Sequence, residues 1–234
     1  MKWTLPNILT ILRLIAAPLL PVMFLYFHHP WSDWFALALF LLAALTDYLD
    51  GYLARAWRQE SAFGAAMDPI ADKAMVLIAL LVINGYSGLT PWIVLPSGLI
   101  FYREVFVSGL REFLGDKARA LKVTGLAKWK TTVQMVAIAV LFSKGIFEHY
   151  LGMQSFGMDQ QMVFDILDGL QPDLMGLRWK YDGMIWAGRG GVALLWLAAA
   201  LTLLTGWDYF RKSLPFLRDS DADAGQARGE HDET

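Results

Sequence analysis

Residues 47–73 read DYLDGYLARAWRQESAFGAAMDPIADK, and within them Asp47, Asp50, Asp68 and Asp72 stand in or beside strongly apolar sequence. Asp47 and Asp50 are three apart and Asp68 and Asp72 four apart, so on helices each pair projects from one face and all four can converge on one point. Taken singly, Asp68 ahead of Pro69 reads as a helix cap, and Asp50 followed by Gly51 as a turn closing a span. Four acids at one mouth of a bundle exceed that explanation. Ionisable groups in apolar spans mark function by default, and like charges packed together repel unless cations neutralise them.

Outward from this stretch, the chain is 56% hydrophobic and only 18% charged, with a mean hydropathy of +0.40. That leaves too little polar surface for a soluble protein of 234 residues. Apolar stretches cover residues 8–27, 34–47, 67–83, 91–107, 123–142 and 192–207, each near the ~20 residues that a spanning helix requires. Alternating ten-residue segments of a membrane barrel do not occur, and helices satisfy their own backbone in lipid. The fold class expected is all-α, a polytopic membrane protein with six transmembrane helices. Arg13 interrupts the first apolar run, and Pro18 and Pro21 follow it, so this run reads as a retained helix rather than a secretory signal.

Residues 1–217 form the expected membrane domain, and the charged segment 218–234, DSDADAGQARGEHDET preceded by Arg218, reads as a disordered cytoplasmic tail. Residues 145–190 read as a long, mainly solvated connection on the far side, with an amphipathic helix around residues 162–170. Lys and Arg cluster at residues 55–73, 103–130 and 211–218, while the short connections at 28–33 and 85–90 have none. By the positive-inside rule the aspartate-bearing connection and both termini face the cytoplasm. Trp31, Trp34, Trp57, Trp92, Trp129 and Trp207 lie near span ends, as an interfacial belt would place them.

The chain has no cysteine, and His28 and His29 lie at the opposite end from the acids. Oxygen ligands of this kind suit hard divalent cations, Mg2+ or Mn2+, and a pair of such ions can clamp a diphosphate during an in-line displacement. A phosphorylated substrate follows from that pairing.

The spacing DxxDGxxAR, eight residues, then GxxxDxxxD is met by Asp47, Asp50, Gly51, Ala54, Arg55, Gly64, Asp68 and Asp72. It resembles the signature of the CDP-alcohol phosphotransferases. The resemblance implies a six-helix membrane enzyme, a homodimer, that transfers a phosphatidyl or related group from a CDP-activated lipid to an alcohol and releases CMP. It also implies that Asp47, Asp50, Asp68 and Asp72 hold two divalent ions, that Asp72 is the general base, and that Gly51, Arg55 and Gly64 line the CDP-lipid site. A carboxylate within hydrogen-bond reach of the attacking hydroxyl fits the base role on chemical grounds.

LPNILTILR at residues 5–13, YREVFVSGLREF at 102–113 and KWKTTVQM at 128–135 resemble the bacterial branch of that family that uses glycerol 3-phosphate. On that resemblance the partners are CDP-diacylglycerol, glycerol 3-phosphate and membrane lipids in a bacterial cytoplasmic (inner) membrane, with no nucleic acid. An acceptor carrying a phosphate needs cationic donors, for which Arg103, Arg111, Lys128 and Lys130 are candidates. Thr10 and Arg13, at three-residue spacing with Asn7, face one side of the first helix and can lean into the same cavity. Basic residues at a span end also serve only to set orientation, and Arg13 can snorkel. Two alternatives remain open: another alcohol acceptor (inositol phosphate, serine or phosphatidylglycerol), and a divalent-cation transporter, since rings of Asp also line cation pores. The connection between the fifth and sixth spans is longer than the compact loop of the family pattern.

Overall fold

The computed structural model describes residues 4–56, 61–115, 117 and 126–232, with side chains at 47–56, 126–128 and 218–232 outside the description. Among these residues seven helices follow one another: α1 (Leu5–Tyr26), α2 (Trp31–Ala56), α3 (Ala62–Tyr86), α4 (Pro91–Leu114), α5 (Leu126–Gln154), α6 (Gln160–Asp168) and α7 (Leu177–Asp232). Among the described residues there is no strand, so the all-α expectation holds.

Helix α1 shows why the surrounding medium must be lipid. Its inward face buries Asn7, Thr10 and Arg13 at 1%, 1% and 3% exposure, while Leu12 and Ile15 stand 56% and 54% exposed. A helix that hides arginine and displays leucine is favoured only where the outside is hydrocarbon. Among the described residues four helical segments are long and apolar enough to cross a bilayer, namely Leu5–Tyr26, Pro91–Leu114, Trp129–Gln154 and Leu177–Leu217, and the apolar part of α2, Trp31–Thr46, is shorter. The expectation of six spanning helices is thus met at four by length and composition. Helix α3 carries Asp68, Asp72 and Lys73 in its first half.

Helices α1 and α3 pack together, α2 lies against α1 and α5, and α7 packs along α5 and α4. The shared core takes Leu20 from α1, Phe40 from α2, Ile83 from α3, Ile100 from α4, Phe142 from α5 and Leu195 from α7. Small residues such as Ala79, Ala137 and Ala198, all fully buried, let helix backbones approach closely, the usual basis of helix association in lipid. Phe24 stacks on Tyr86 with centroids 5.5 Å apart and on Phe142 at 6.0 Å, tying α1, α3 and α5 at the end remote from the aspartates.

Several expected boundaries move. Helix α3 starts at Ala62, not near Asp68, because Ser61 caps it by accepting the Gly64 amide at 3.0 Å. Asp68 and Pro69 therefore lie inside the helix, and the capping reading of Asp68 falls away. Helix α2 runs unbroken through Asp50 and Gly51, so Gly51 is not a turn. Helix α4 continues to Leu114 and stops at Gly115, whose φ of 52° suits glycine.

The connection 145–190 is not a long solvated loop. Helix α5 extends to Gln154, α7 begins at Leu177, and α6 occupies residues 160–168, close to the amphipathic helix expected at 162–170. Gly169 in the left-handed conformation ends α6, and Arg178 Nε donates to the Ile166 carbonyl at 2.8 Å, fastening α6 to α7. Helix α7 runs from Leu177 to Asp232 and so takes in most of the charged segment 218–234.

Candidate active site

The first half of α3 presents Asp68 and Asp72 toward α1. Thr10 Oγ1 donates to Asp68 Oδ1 at 2.5 Å, and Arg13 Nη1 donates to Asp72 Oδ1 at 2.5 Å, with Arg13 Nη2 3.6 Å from Asp68 Oδ1. Arg13 is buried, whereas the two carboxylates are 41% and 43% exposed. One planar guanidinium thus spans both acids, a geometry that lysine cannot reproduce. Thr10 and Arg13, expected from their spacing to reach the cavity, are brought directly onto the carboxylates.

The approach of α1 to α3 is close because of Gly64. A Cβ built there would lie 3.1 Å from Asn7 Oδ1 and 3.3 Å from Ser61 Oγ. Asn7 Oδ1 in turn accepts from Ser61 Oγ at 2.7 Å. Gly64, expected to line a nucleotide site, is placed where two helices touch, next to Asp68 Oδ2 at 3.8 Å from that Cβ position.

Among the described residues, no three His, Cys, Asp or Glu side chains gather so as to hold a metal ion. Asp47 and Asp50, the other half of the expected set, lie with Gly51 and Arg55 on the helical stretch of α2 whose side chains are outside the description, as is the side chain of Lys128 on α5. What is visible fits a hard cation in kind: two partly exposed carboxylates, oxygen donors throughout, with further acids three residues apart on a helix packed against the same α1.

A second polar cluster lies across α3. Lys73 Nζ donates to Ser108 Oγ at 2.5 Å, so the residue after Asp72 reaches α4 while Asp72 reaches α1. On α4, Glu104 Oε1 accepts from Arg103 Nη1 at 3.0 Å and from Lys130 Nζ of α5. Arg103 Nη2 donates to Thr205 Oγ1 of α7 at 3.3 Å. Gly206 makes room for this arginine, since a Cβ there would sit 2.9 Å from Arg103 Cγ. Arg111 lies over the Tyr209 ring, 5.4 Å from its centroid. Of the expected acceptor-site residues, then, Arg103 and Lys130 converge on one acid, Arg111 joins them through α7, and Thr10 and Arg13 belong to the aspartates.

Two cations, Arg103 and Lys130, meet one carboxylate in this cluster, Lys73 adds its charge nearby through Ser108, and Arg103 Nε is buried without a hydrogen-bond partner among the described residues. Such a site has unspent capacity for an anion. Glu104 and Lys73 were not singled out for this role in the sequence. The signal was present, since Glu104 is an acid inside an apolar span and Lys73, directly after Asp72, opens onto the apolar run from Ala74.

Fold and site together define a polytopic helical membrane protein with acidic and basic clusters on opposite sides of one helix. Comparison with known proteins is consistent with that arrangement. The family model described as CDP-alcohol phosphatidyltransferase matches residues 3–166. The chain is 60% identical over 219 residues, covering 94% of it and 99% of the relative, to a protein of Cereibacter sphaeroides named CDP-diacylglycerol–glycerol-3-phosphate 3-phosphatidyltransferase. Relatives with the same name from Salmonella choleraesuis and Escherichia coli are 38% identical over 159 residues, 67% of this chain and 86% of theirs. This chain belongs to the CDP-alcohol phosphatidyltransferase family.

Proposed function

We propose that this protein transfers the phosphatidyl group of CDP-diacylglycerol to glycerol 3-phosphate, giving phosphatidylglycerophosphate and CMP. The observation that carries the reading is the near end-to-end match to a relative named for that reaction. The excess of cations around Glu104 supports an acceptor that itself bears a phosphate.

In the reaction the acceptor hydroxyl oxygen forms a bond to the phosphatidyl phosphorus, and the bond from that phosphorus to the bridging oxygen of CMP breaks. Asp72 takes the hydroxyl proton as general base, and Arg13 holds its carboxylate in place. Asp47, Asp50, Asp68 and Asp72 would hold Mg2+ or Mn2+, as two ions, which supply neutralisation of the diphosphate charge. Thr10 orients Asp68 by its hydrogen bond. Gly51, Arg55 and Gly64 face the CDP moiety, while Arg103, Arg111, Lys128 and Lys130 attract the acceptor phosphate. The remaining parts of the reading are six spans over residues 1–217, a charged tail from 218, a homodimer, and an active site with both termini on the cytoplasmic side of a bacterial inner membrane.

The test is CMP release by purified protein with CDP-diacylglycerol and Mg2+, run with glycerol 3-phosphate, inositol phosphate, serine or phosphatidylglycerol. Release with glycerol 3-phosphate alone is expected, and Asp72→Asn should lower its rate by roughly 10²–10⁴-fold while CDP-diacylglycerol still binds. Release with a different acceptor would overturn the acceptor assignment. Full activity of Asp72→Asn would overturn the base.

A further inference from the structure

At the end of the bundle away from the carboxylates, a groove of about 400 Å³ opens between α3, α4, α5 and α7. Tyr86, which lines it, is fourteen residues beyond Asp72 on α3, or about 21 Å along the helix. It is therefore separate from the active site. Its walls are apolar, formed by Ile93, Leu141 and Val192, and its volume is that of a ligand pocket.

Two cations border this apolar space, Lys144 of α5 and Arg189 of α7. Lys144 Nζ is 3.2 Å from Glu148 Oε2, so part of its charge is answered. Arg189 is exposed and makes no hydrogen bond or ion pair with any described residue. The hydroxyl residues Ser87 and Thr90, in the α3–α4 turn, line the same groove. An unanswered guanidinium beside an apolar wall calls for a ligand with an anionic head and a hydrocarbon body.

Tryptophans set the depth. Trp92 lines the groove and is 68% exposed, Trp186 is 77% exposed, and Trp196 Nε1 donates to the Trp92 carbonyl at 3.0 Å. Such a belt marks the level of lipid headgroups. Cations at this level, on the end opposite the main basic clusters, go against the orienting bias of Lys and Arg and need a partner of their own.

We propose that this groove binds one anionic phospholipid of the surrounding bilayer, with its phosphodiester at Arg189 and Lys144 and an acyl chain along Ile93, Leu141 and Val192. Charge complementarity selects the anionic lipid over a zwitterionic one, since the zwitterion brings its own cation.

The experiment is native mass spectrometry of the full chain, extracted from bilayers with equal amounts of phosphatidylglycerol and phosphatidylcholine. Wild type should retain phosphatidylglycerol at least about fivefold over phosphatidylcholine, a difference of about 1 kcal/mol. Arg189→Ala combined with Lys144→Ala should bring the two to parity. Arg189→Lys should keep the preference. Gly188→Leu leaves both cations and places a side chain in the groove, where a Cβ meets Lys144 Cδ at an ordinary 3.5 Å; it should abolish retention. Thermal midpoints near that of wild type confirm that each variant is folded. Parity in wild type, an unchanged preference in both the double variant and Gly188→Leu, or displacement of the retained lipid by CDP-diacylglycerol would each overturn the site. So would a loss of dimer mass in the variants with lipid retention intact, which would assign the groove to a second copy of the chain.

Discussion

Arg13 and Glu104 are the two side chains around which the polar interior is arranged, one a cation shared by two acids and the other an acid shared by two cations. Glu104 is 7% exposed, and removing one member of a buried charge set leaves its partners uncompensated. Glu104→Gln is expected to destabilise the fold by about 3 kcal/mol, read as a lowered midpoint in detergent; an unchanged midpoint would show that Arg103 and Lys130 are compensated elsewhere. Arg13→Lys keeps the charge but loses the span between Asp72 Oδ1 and Asp68 Oδ1. CMP release by this variant should fall by about tenfold or more, with Tm close to wild type; activity equal to wild type would mean that charge alone suffices. At this scale the spacing of Asn7, Thr10 and Arg13 showed that they share a face. It could not show that Arg13 pairs with Asp72, because a helical period says nothing about which neighbouring helix a face meets.

Local chemistry at helix ends explains where the elements depart from their hydropathy. Helix α3 begins six residues before Asp68 because Ser61 supplies a cap and Gly64 permits contact with α1, signals that an apolar-run reading passes over. The start of α7 depends in the same way on Asp173, whose carboxylate accepts the amides of Leu177 at 2.7 Å and Arg178 at 3.0 Å. Those amides, that of Arg178 foremost, hold the Asp173 carboxyl below its ordinary value of 3.8. A depressed carboxyl stabilises the fold fully above its ordinary value, and that contribution is lost as pH falls through the lower, folded value. Asp173→Asn should therefore lower the thermal midpoint at neutral pH and flatten its decline on the acid side of 3.8. Parallel pH profiles for the two proteins would remove Asp173 from the cap.

For the molecule as a whole, the cationic cluster lies at one end and the groove at the other, and the positive-inside rule predicts that the cationic end faces the cytoplasm. The chain has no cysteine, so single cysteines report sidedness cleanly. Phe156→Cys, at a residue 91% exposed beyond the end of α5, should react with an impermeant maleimide in intact cells. Lys117→Cys, just past the end of α4, should react only after permeabilisation. The reverse pattern would invert the orientation. The sequence alone determined that the chain is helical and membrane-embedded, that its acids come in pairs on single helix faces, and that α1 has a polar side, because composition and period are local properties of a chain in hydrocarbon. Only the tertiary structure decided that Arg13 spans Asp68 and Asp72, that Lys73 and Asp72 point to opposite neighbours, and that Glu104 gathers cations from two helices. Those contacts depend on how far each helix is rotated and shifted against the next, which is set by interdigitation across the whole bundle rather than by any one stretch of residues.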